Sequence, residues 1–354
     1  MTETFTPPFQ LIAPDGTTRG KPEHPIDPDT ARTYYRSMTL ARAFDDEATF
    51  LQRRGELGLW LRSLGQEAAQ IGSITALQDR DYVFPSYREH AAALHRGLSP
   101  GEILAQWRGV SHSGWNPAEH GFHIYTLVLA AQLLHATGYA MGIQRDRDDG
   151  VVLAYFGDGA SSEGDAGEAF NIAAVNAAPV LFLCQNNAWA ISTPTHKQFA
   201  SPIHVRAKAY GLWSAVVDGN DVFAVRDVTE RALDHIRSGA GPALIEALTY
   251  RRAGHSTADD PTRYRSDAEL ADHAATDPIA RVAALLAQHD WADDAFFKDV
   301  ERDARALASR TRSECLALPE PRLETYFGHV LADGGAVLDN ERTAALARHL
   351  VPTS

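Results

Sequence analysis

Apolar positions recur at helical spacing over residues 30–54, until Gly55 and Gly58 interrupt the run. A period of three to four residues on one face predicts an amphipathic helix. The same pattern predicts helices over residues 66–77 and 102–107. Residues 125–144 are apolar and alanine-rich, with no strand-like alternation, and predict one long buried helix. The charged patch RDRDD at 145–149 then forces a surface turn. Two short, continuously apolar runs follow, VVLAYF at 151–156 and VLFLC at 180–184, with ALIEAL at 243–248, apolar but for Glu246, as a third candidate. Runs of that kind are strands buried on both faces. Helical patterns over 166–176 and about 222–237 separate them. The alternation of strand and helix predicts an α/β fold, a parallel sheet covered by helices.

The flanks read differently. Residues 1–29 carry prolines and a PDG turn signal, and predict an extended arm. From about Asp267 the chain is helical, with many alanines and charges and a loop near 319–321. The expected organisation is an arm (1–29), an α/β domain (30–265) and a helical extension packed on it (266–354). With 354 residues, 44% of them hydrophobic, a large core is available. The net charge of −13 favours solubility and gives no sign of a nucleic-acid surface. No apolar run reaches membrane-spanning length, and the first residues lack a basic stretch followed by an apolar one, which points to a cytoplasmic protein. The two cysteines, Cys184 and Cys315, belong to no metal pattern, and Cys184 reads as a buried thiol.

In parallel sheets, ligands sit beyond the carboxyl ends of the strands. That rule directs attention to Asp158, to Asn187 and to the loop after Leu248. Asp158 lies in Gly157-Asp158-Gly159, and Asn187 follows 29 positions later. A carboxylate and an amide oxygen at neighbouring strand ends can hold a hard cation such as Mg2+ and bridge it to a diphosphate. The glycines let the backbone approach such a ligand. The plainer alternative is a tight turn with a capping Asp. GDGASSEGD is neither a Walker loop nor a GxGxxG fingerprint. In FPSYREHAAALHRG, Arg88, next to Tyr87, could grip a diphosphate through two parallel donors, or pair with Glu89 or Asp81 at the surface. His90 and His95 read as surface or packing residues. In the polar loop 249–265, His255 could donate to a phosphate or a reaction intermediate. Asp259 and Asp260 could pin that loop to Arg263 or Arg265.

Taken together, these blocks resemble the alpha subunits of the heterotetrameric 2-oxo acid dehydrogenases, the E1 components of the pyruvate and branched-chain 2-oxo acid dehydrogenase complexes. The resemblance runs from about Thr30 to about Leu331. It includes GQEAAQIG (65–72), FPSYREHAAALHRG (84–97), YFGDGASSEGDAGEAFNIAAV (155–175), QNNAWAISTP (185–194), VDGND (217–221) and the His255 loop. It implies a thiamine-diphosphate-binding fold and the cofactors thiamine diphosphate and Mg2+. The implied metal ligands are Asp158, Asn187 and the backbone carbonyl of Trp189. The implied diphosphate contacts are Gly159 and Ala160 through their backbone, with Tyr87 and Arg88 at the same end. Tyr125 and Leu127 fall where the family touches the aminopyrimidine ring. His255 matches a catalytic histidine near the diphosphate that helps acyl transfer. The implied partners are a beta subunit, in a heterotetramer of two alpha and two beta chains with the site between them, and the lipoyl domain of E2. The beta subunit would bring the proton-abstracting glutamate, so the alpha chain alone is expected to be inactive.

Three positions depart from the family pattern. Gln185 stands where an Arg often supports the diphosphate. HIYTLVLAAQLLHATG (123–138) replaces a Ser-Pro segment, and Gly254 precedes His255 where some members carry a bulkier residue. Ser256 matches a serine phosphorylated in some mitochondrial members. The 84–97 and 185–194 blocks resemble the branched-chain subgroup, which implies 2-oxoisovalerate as substrate. Pyruvate, acetoin and a noncatalytic subunit are the alternatives.

Overall fold

A computed structural model describes residues 7–320, 326–328 and 330–349. Its centre is a parallel sheet of five strands in the order β1 (Tyr82–Phe84), β2 (Val152–Gly157), β3 (Val180–Asn186), β7 (Ala243–Leu248), β6 (Trp213–Asp218). A two-residue antiparallel ladder joins β4 (Trp189–Ala190) to β5 (Thr193–Pro194) just beyond β3. The expected sheet covered by helices is therefore present. Alternation along the strands explains their unbroken apolar character. Val152, Ala154 and Phe156 enter one core with helices Ala131–Asp146 and Gly164–Val175. Leu153 and Tyr155 enter the other, with helices Pro28–Arg53, Glu67–Ile74 and Val222–Arg237. A strand with apolar cores on both sides has no face left for polar residues.

The structure departs from the sequence expectation in several places. Strands β1 and β6 carried no readable signal. The first is three residues long, and the second is a mixed strand with partly exposed positions. The helix expected from residue 125 begins only at Ala131, after Ala130 adopts a left-handed φ of 64°. The preceding residues are drawn into extended backbone beside β1. The His123 N–H donates to the Val83 carbonyl (2.8 Å) and the Thr126 N–H to the Ser86 carbonyl (2.7 Å). Backbone groups used in this way cannot close helical turns. Nor is that helix buried all round: one face carries Leu133, Ala136 and Ala140 into the core, while Tyr139 is exposed.

The arm is also more ordered than its prolines suggest. Phe9 exchanges two backbone hydrogen bonds with β6, and the Leu11 and Ile12 N–H groups both donate to Asp221 (2.7 and 2.6 Å). Asp221 caps helix Val222–Arg237 with its other oxygen, so one buried carboxylate fastens the arm to the sheet edge. Helices Pro278–Gln288 and Asp294–Ala317 pack on helix Pro28–Arg53. Part of the loop expected near 319–321 lies outside the described residues. No helix among the described residues is long and apolar enough to cross a membrane. Cys184 is buried, as expected, and both cysteines are free.

Candidate active site

A cavity of about 510 Å³ opens at the carboxyl ends of β2 and β3. Its polar wall is made by the two strand exits. Asp158 follows β2 directly and is 1% exposed. Its Oδ1 accepts from the Asn187 backbone N–H (3.3 Å) and its Oδ2 from the Gln198 amide (2.8 Å). Burial raises its pKa above the ordinary carboxylate value, outweighing the hydrogen bonds from Gln198 and Asn187 and the pull of Arg251. Gly159 is required by packing, since a Cβ there would lie 2.8 Å from that of Ala190. Beyond β3, Ala188 and Ile191 hold left-handed φ values of 71° and 53°, folding β4 and β5 back over the strand end. This turn carries Asn187 and Trp189 to the cavity. The Trp189 carbonyl accepts from Arg251 (3.1 Å) and keeps a second lone pair.

The donor set suits a hard cation and a polar ligand. No group of three or more His, Cys, Asp or Glu residues able to hold a metal occurs among the described residues. A metal at Asp158 would therefore take carboxylate, amide and carbonyl oxygens, the ligands that Mg2+ prefers. Gln66 Nε2, Gln132 Oε1 and Gln198 Oε1 are buried without a hydrogen-bond partner, and all three residues line the cavity. Each unmade bond of this kind costs about 1–3 kcal/mol, which a ligand rich in oxygens and N–H groups would recover.

Arg88 lines the cavity and, among the described residues, forms no ion pair with Glu89 or Asp81. It is 5% exposed. Its guanidinium donates to the carbonyls of Arg62 and His255 (2.9 Å to the latter), joining two cavity walls, and lies 5.5 Å from the Tyr87 ring centre. His255 faces the cavity with its ring edge-on to Tyr87, centroids 6.3 Å apart. Burial lowers its pKa to about 4, and Arg88 and Arg251 add to the effect, so the imidazole is neutral at physiological pH. Asp259 pins this loop, but not through Arg263 or Arg265. It accepts from the His255 N–H (2.6 Å) and from the Tyr264 hydroxyl. Asp260 caps the turn at Thr262, and Arg265 holds the carbonyls of Arg251 and Arg252.

The apolar wall was largely invisible in the sequence. Leu59, Leu61, Thr126, Leu127 and Leu129 line it. Leu127 reaches the cavity as expected and is half-exposed. Tyr125 does not: it is buried, with its hydroxyl 2.9 Å from His90 Nδ1. His90 in turn is no surface residue. Its ring stacks on Trp60 (centroids 4.2 Å apart) and its Nε2 lies 2.8 Å from the Leu61 carbonyl. A carbonyl can only accept, so Nε2 carries the proton and Nδ1 accepts from Tyr125. Gln185 donates to Glu89 (2.6 Å) and accepts from Gln70 (3.1 Å), forming a buried amide bridge in the cavity wall. Gln66, Gln132 and Gln198 were not singled out from the sequence, although Gln66 sits within the GQEAAQIG block.

Comparison with known proteins shows the family. The family model described as "Dehydrogenase E1 component" matches residues 35–323. A Mycobacterium tuberculosis protein named 3-methyl-2-oxobutanoate dehydrogenase subunit alpha is 41% identical over 329 residues, covering 92% of this chain and 90% of the relative. The human mitochondrial 2-oxoisovalerate dehydrogenase subunit alpha is 36% identical over 331 residues, covering 89% and 73%. An Arabidopsis thaliana counterpart, 2-oxoisovalerate dehydrogenase subunit alpha 2, is 37% identical over 321 residues, covering 86% and 67%.

Proposed function

The chain belongs to the dehydrogenase E1 component family, and from that premise we propose that it is the alpha subunit of a 3-methyl-2-oxobutanoate (2-oxoisovalerate) dehydrogenase. The observation that carries this reading is the 41% identity across 92% of the chain to a protein of that name, in a fold whose cavity collects Asp158, Asn187 and His255. The family depends on thiamine diphosphate. When bound, that cofactor supplies the carbon nucleophile and the electron sink for decarboxylation.

This chain's own residues would hold the diphosphate end. Asp158, the Asn187 side chain and the Trp189 carbonyl would take Mg2+. The backbone of Gly159 and Ala160 would meet the diphosphate, and Tyr87 would close that end. Arg88 would meet the same end of the diphosphate while fixing the His255 loop through its carbonyl. His255, neutral above about pH 4, can donate a ring N–H to an oxygen of the ligand without adding positive charge. Leu127, with Thr126 beside it, would border the ring of the cofactor, while Tyr125 supports that segment from behind. Leu59, Leu61 and Leu129 make an apolar surface suited to a branched acyl chain. Proton abstraction would come from a beta subunit, in a heterotetramer of two alpha and two beta chains acting in the cytoplasm. The acyl group would pass to the lipoyl domain of E2.

The test is co-expression with the beta partner, followed by decarboxylation assays with thiamine diphosphate, Mg2+ and an artificial electron acceptor. A preference of about tenfold or more for 3-methyl-2-oxobutanoate over pyruvate is expected, in line with what added methylenes are worth in an apolar pocket. A preference for pyruvate would overturn the substrate and leave the family membership standing. The alpha chain alone should be inactive.

A further inference from the structure

Strand β7 carries one acidic residue, Glu246, at the middle of the sheet between Cys184 of β3 and Val216 of β6. It is 2% exposed. A carboxylate in such a place costs several kcal/mol unless fully supplied with donors. Three donors reach it: the Asn186 side-chain amide (2.8 Å), the His204 backbone N–H (3.0 Å) and His204 Nδ1 (2.6 Å). Although burial pulls its pKa up, the bonds from His204 and Asn186 hold it below the ordinary value, so the carboxylate is ionised. None of these groups lines the cavity.

The consequence runs through Asn186. An amide can face either way, but an anion on one side accepts only its NH2. Glu246 thus turns the Asn186 oxygen towards the next turn, where it accepts from the Ala188 N–H (3.2 Å) and the Thr195 hydroxyl (3.3 Å). Ala188 is the residue held at φ 71°, a left-handed conformation that is unfavourable for a non-glycine residue. The hydrogen bond to Asn186 offsets that cost. Asn187 precedes Ala188 and Trp189 follows it, so two of the three proposed metal donors hang on this one turn. Resting on the cofactor reading above, the geometry points to Glu246 as a positioning residue for the metal: through Asn186 it sets the turn that aims the Asn187 oxygen and the Trp189 carbonyl.

The test is Mn2+ binding, followed by electron paramagnetic resonance, to the alpha–beta assembly with thiamine diphosphate present. In Glu246→Gln the new NH2 must face one of the existing donors, either Asn186 or His204. The Mn2+ Kd should weaken about tenfold, the lower range for loss of a group that orients a metal ligand, and Glu246→Gln with Asn186→Asp should return to within about threefold of wild type. The double variant keeps one donor facing one acceptor across the same gap. An unchanged Kd in Glu246→Gln overturns the inference. So does a loss that the double variant fails to restore, because that marks general damage to the sheet. Should Glu246→Gln not fold, Asn186→Ala removes the same link from its other end and should show the same tenfold loss. If wild type itself fails to bind Mn2+, the cofactor reading falls first and this inference with it.

Discussion

The two walls of the cavity are built in opposite ways. The polar wall, from Asp158 and from Asn187 to Trp189, stands directly on the ends of β2 and β3, and backbone hydrogen bonds of the sheet hold it. The apolar wall, with Leu59, Leu61, Leu127 and Leu129, stands on irregular segments. Buried side chains suspend it: Asp45 accepts from the Trp60 indole (2.8 Å) and Arg62 Nε (3.0 Å), and His90 joins Leu61 to Tyr125. A wall placed by a sheet is marked by short motifs at strand ends. A wall placed by distant side chains tolerates changes in its own sequence, provided its anchors remain. The variant 123–138 segment lies on the second kind.

The sharpest break in the comparison is Asp158→Asn. It should lower kcat/KM by about 1000-fold or more, close to 4 kcal/mol of lost stabilisation. The melting temperature should hold or rise, because a desolvated carboxylate is removed from the fold. Activity within tenfold of wild type would mean that the polar wall holds no metal. Arg88→Ala severs the tie between the walls and the His255 loop. Loss of charged hydrogen bonds worth about 1.5–3 kcal/mol predicts a fall of about 10- to 100-fold in kcat/KM, and limited proteolysis should find the 254–260 loop more readily cut.

The anchor of the apolar wall can be tested by pH. Burial lowers the pKa of His90 to about 3, with Arg88 adding to the effect. An unfolded histidine titrates near 6.5, so below that pH the unfolded chain binds a proton that the folded chain refuses. Stability contributed by neutral His90 is complete above pH 6.5 and is lost progressively as pH falls towards 3. His255, at about 4, acts in the same direction. Chemical denaturation between pH 7 and 4 should show this loss, and His90→Gln should lessen the slope while lowering stability at pH 7 by about 1–3 kcal/mol. An equal slope in the variant would remove His90 from the account. The smallest effect belongs to Leu127→Ser. With half of Leu127 exposed, the stability of the chain should change by no more than about 0.5 kcal/mol, measured by the same denaturation.

Most of the polar wall was legible before the structure. Asp158 and Asn187 stand at the ends of apolar runs that could only be buried strands, and a parallel sheet presents such ends to a ligand. Gly159 was legible as a glycine, but its reason, the contact with Ala190, was not. Arg88 and His255 line the cavity as the motifs suggested, but that Arg88 holds the carbonyls of Arg62 and His255, rather than a surface carboxylate, was not legible. His90 is the packing residue that one of its two readings gave, but its bond to Tyr125, which draws that ring away from the cavity, was not legible.

By itself, the sequence determined the both-face burial of β2, β3 and β7, the parallel sheet that follows from it, and the polar strand ends that line the cavity. These follow from periodicity and from motifs a few residues long, which depend only on neighbours along the chain. The tertiary structure alone decided that residues 122–126 run extended beside β1, that Tyr125 turns inward while Leu127 meets the cavity, and that Leu59 and Leu61 line it as well. The reason is the reach of the contacts. Arg88 meets His255 at a separation of 167 residues, and Asn186 meets Glu246 at 60. No local pattern encodes which distant group will satisfy a buried donor.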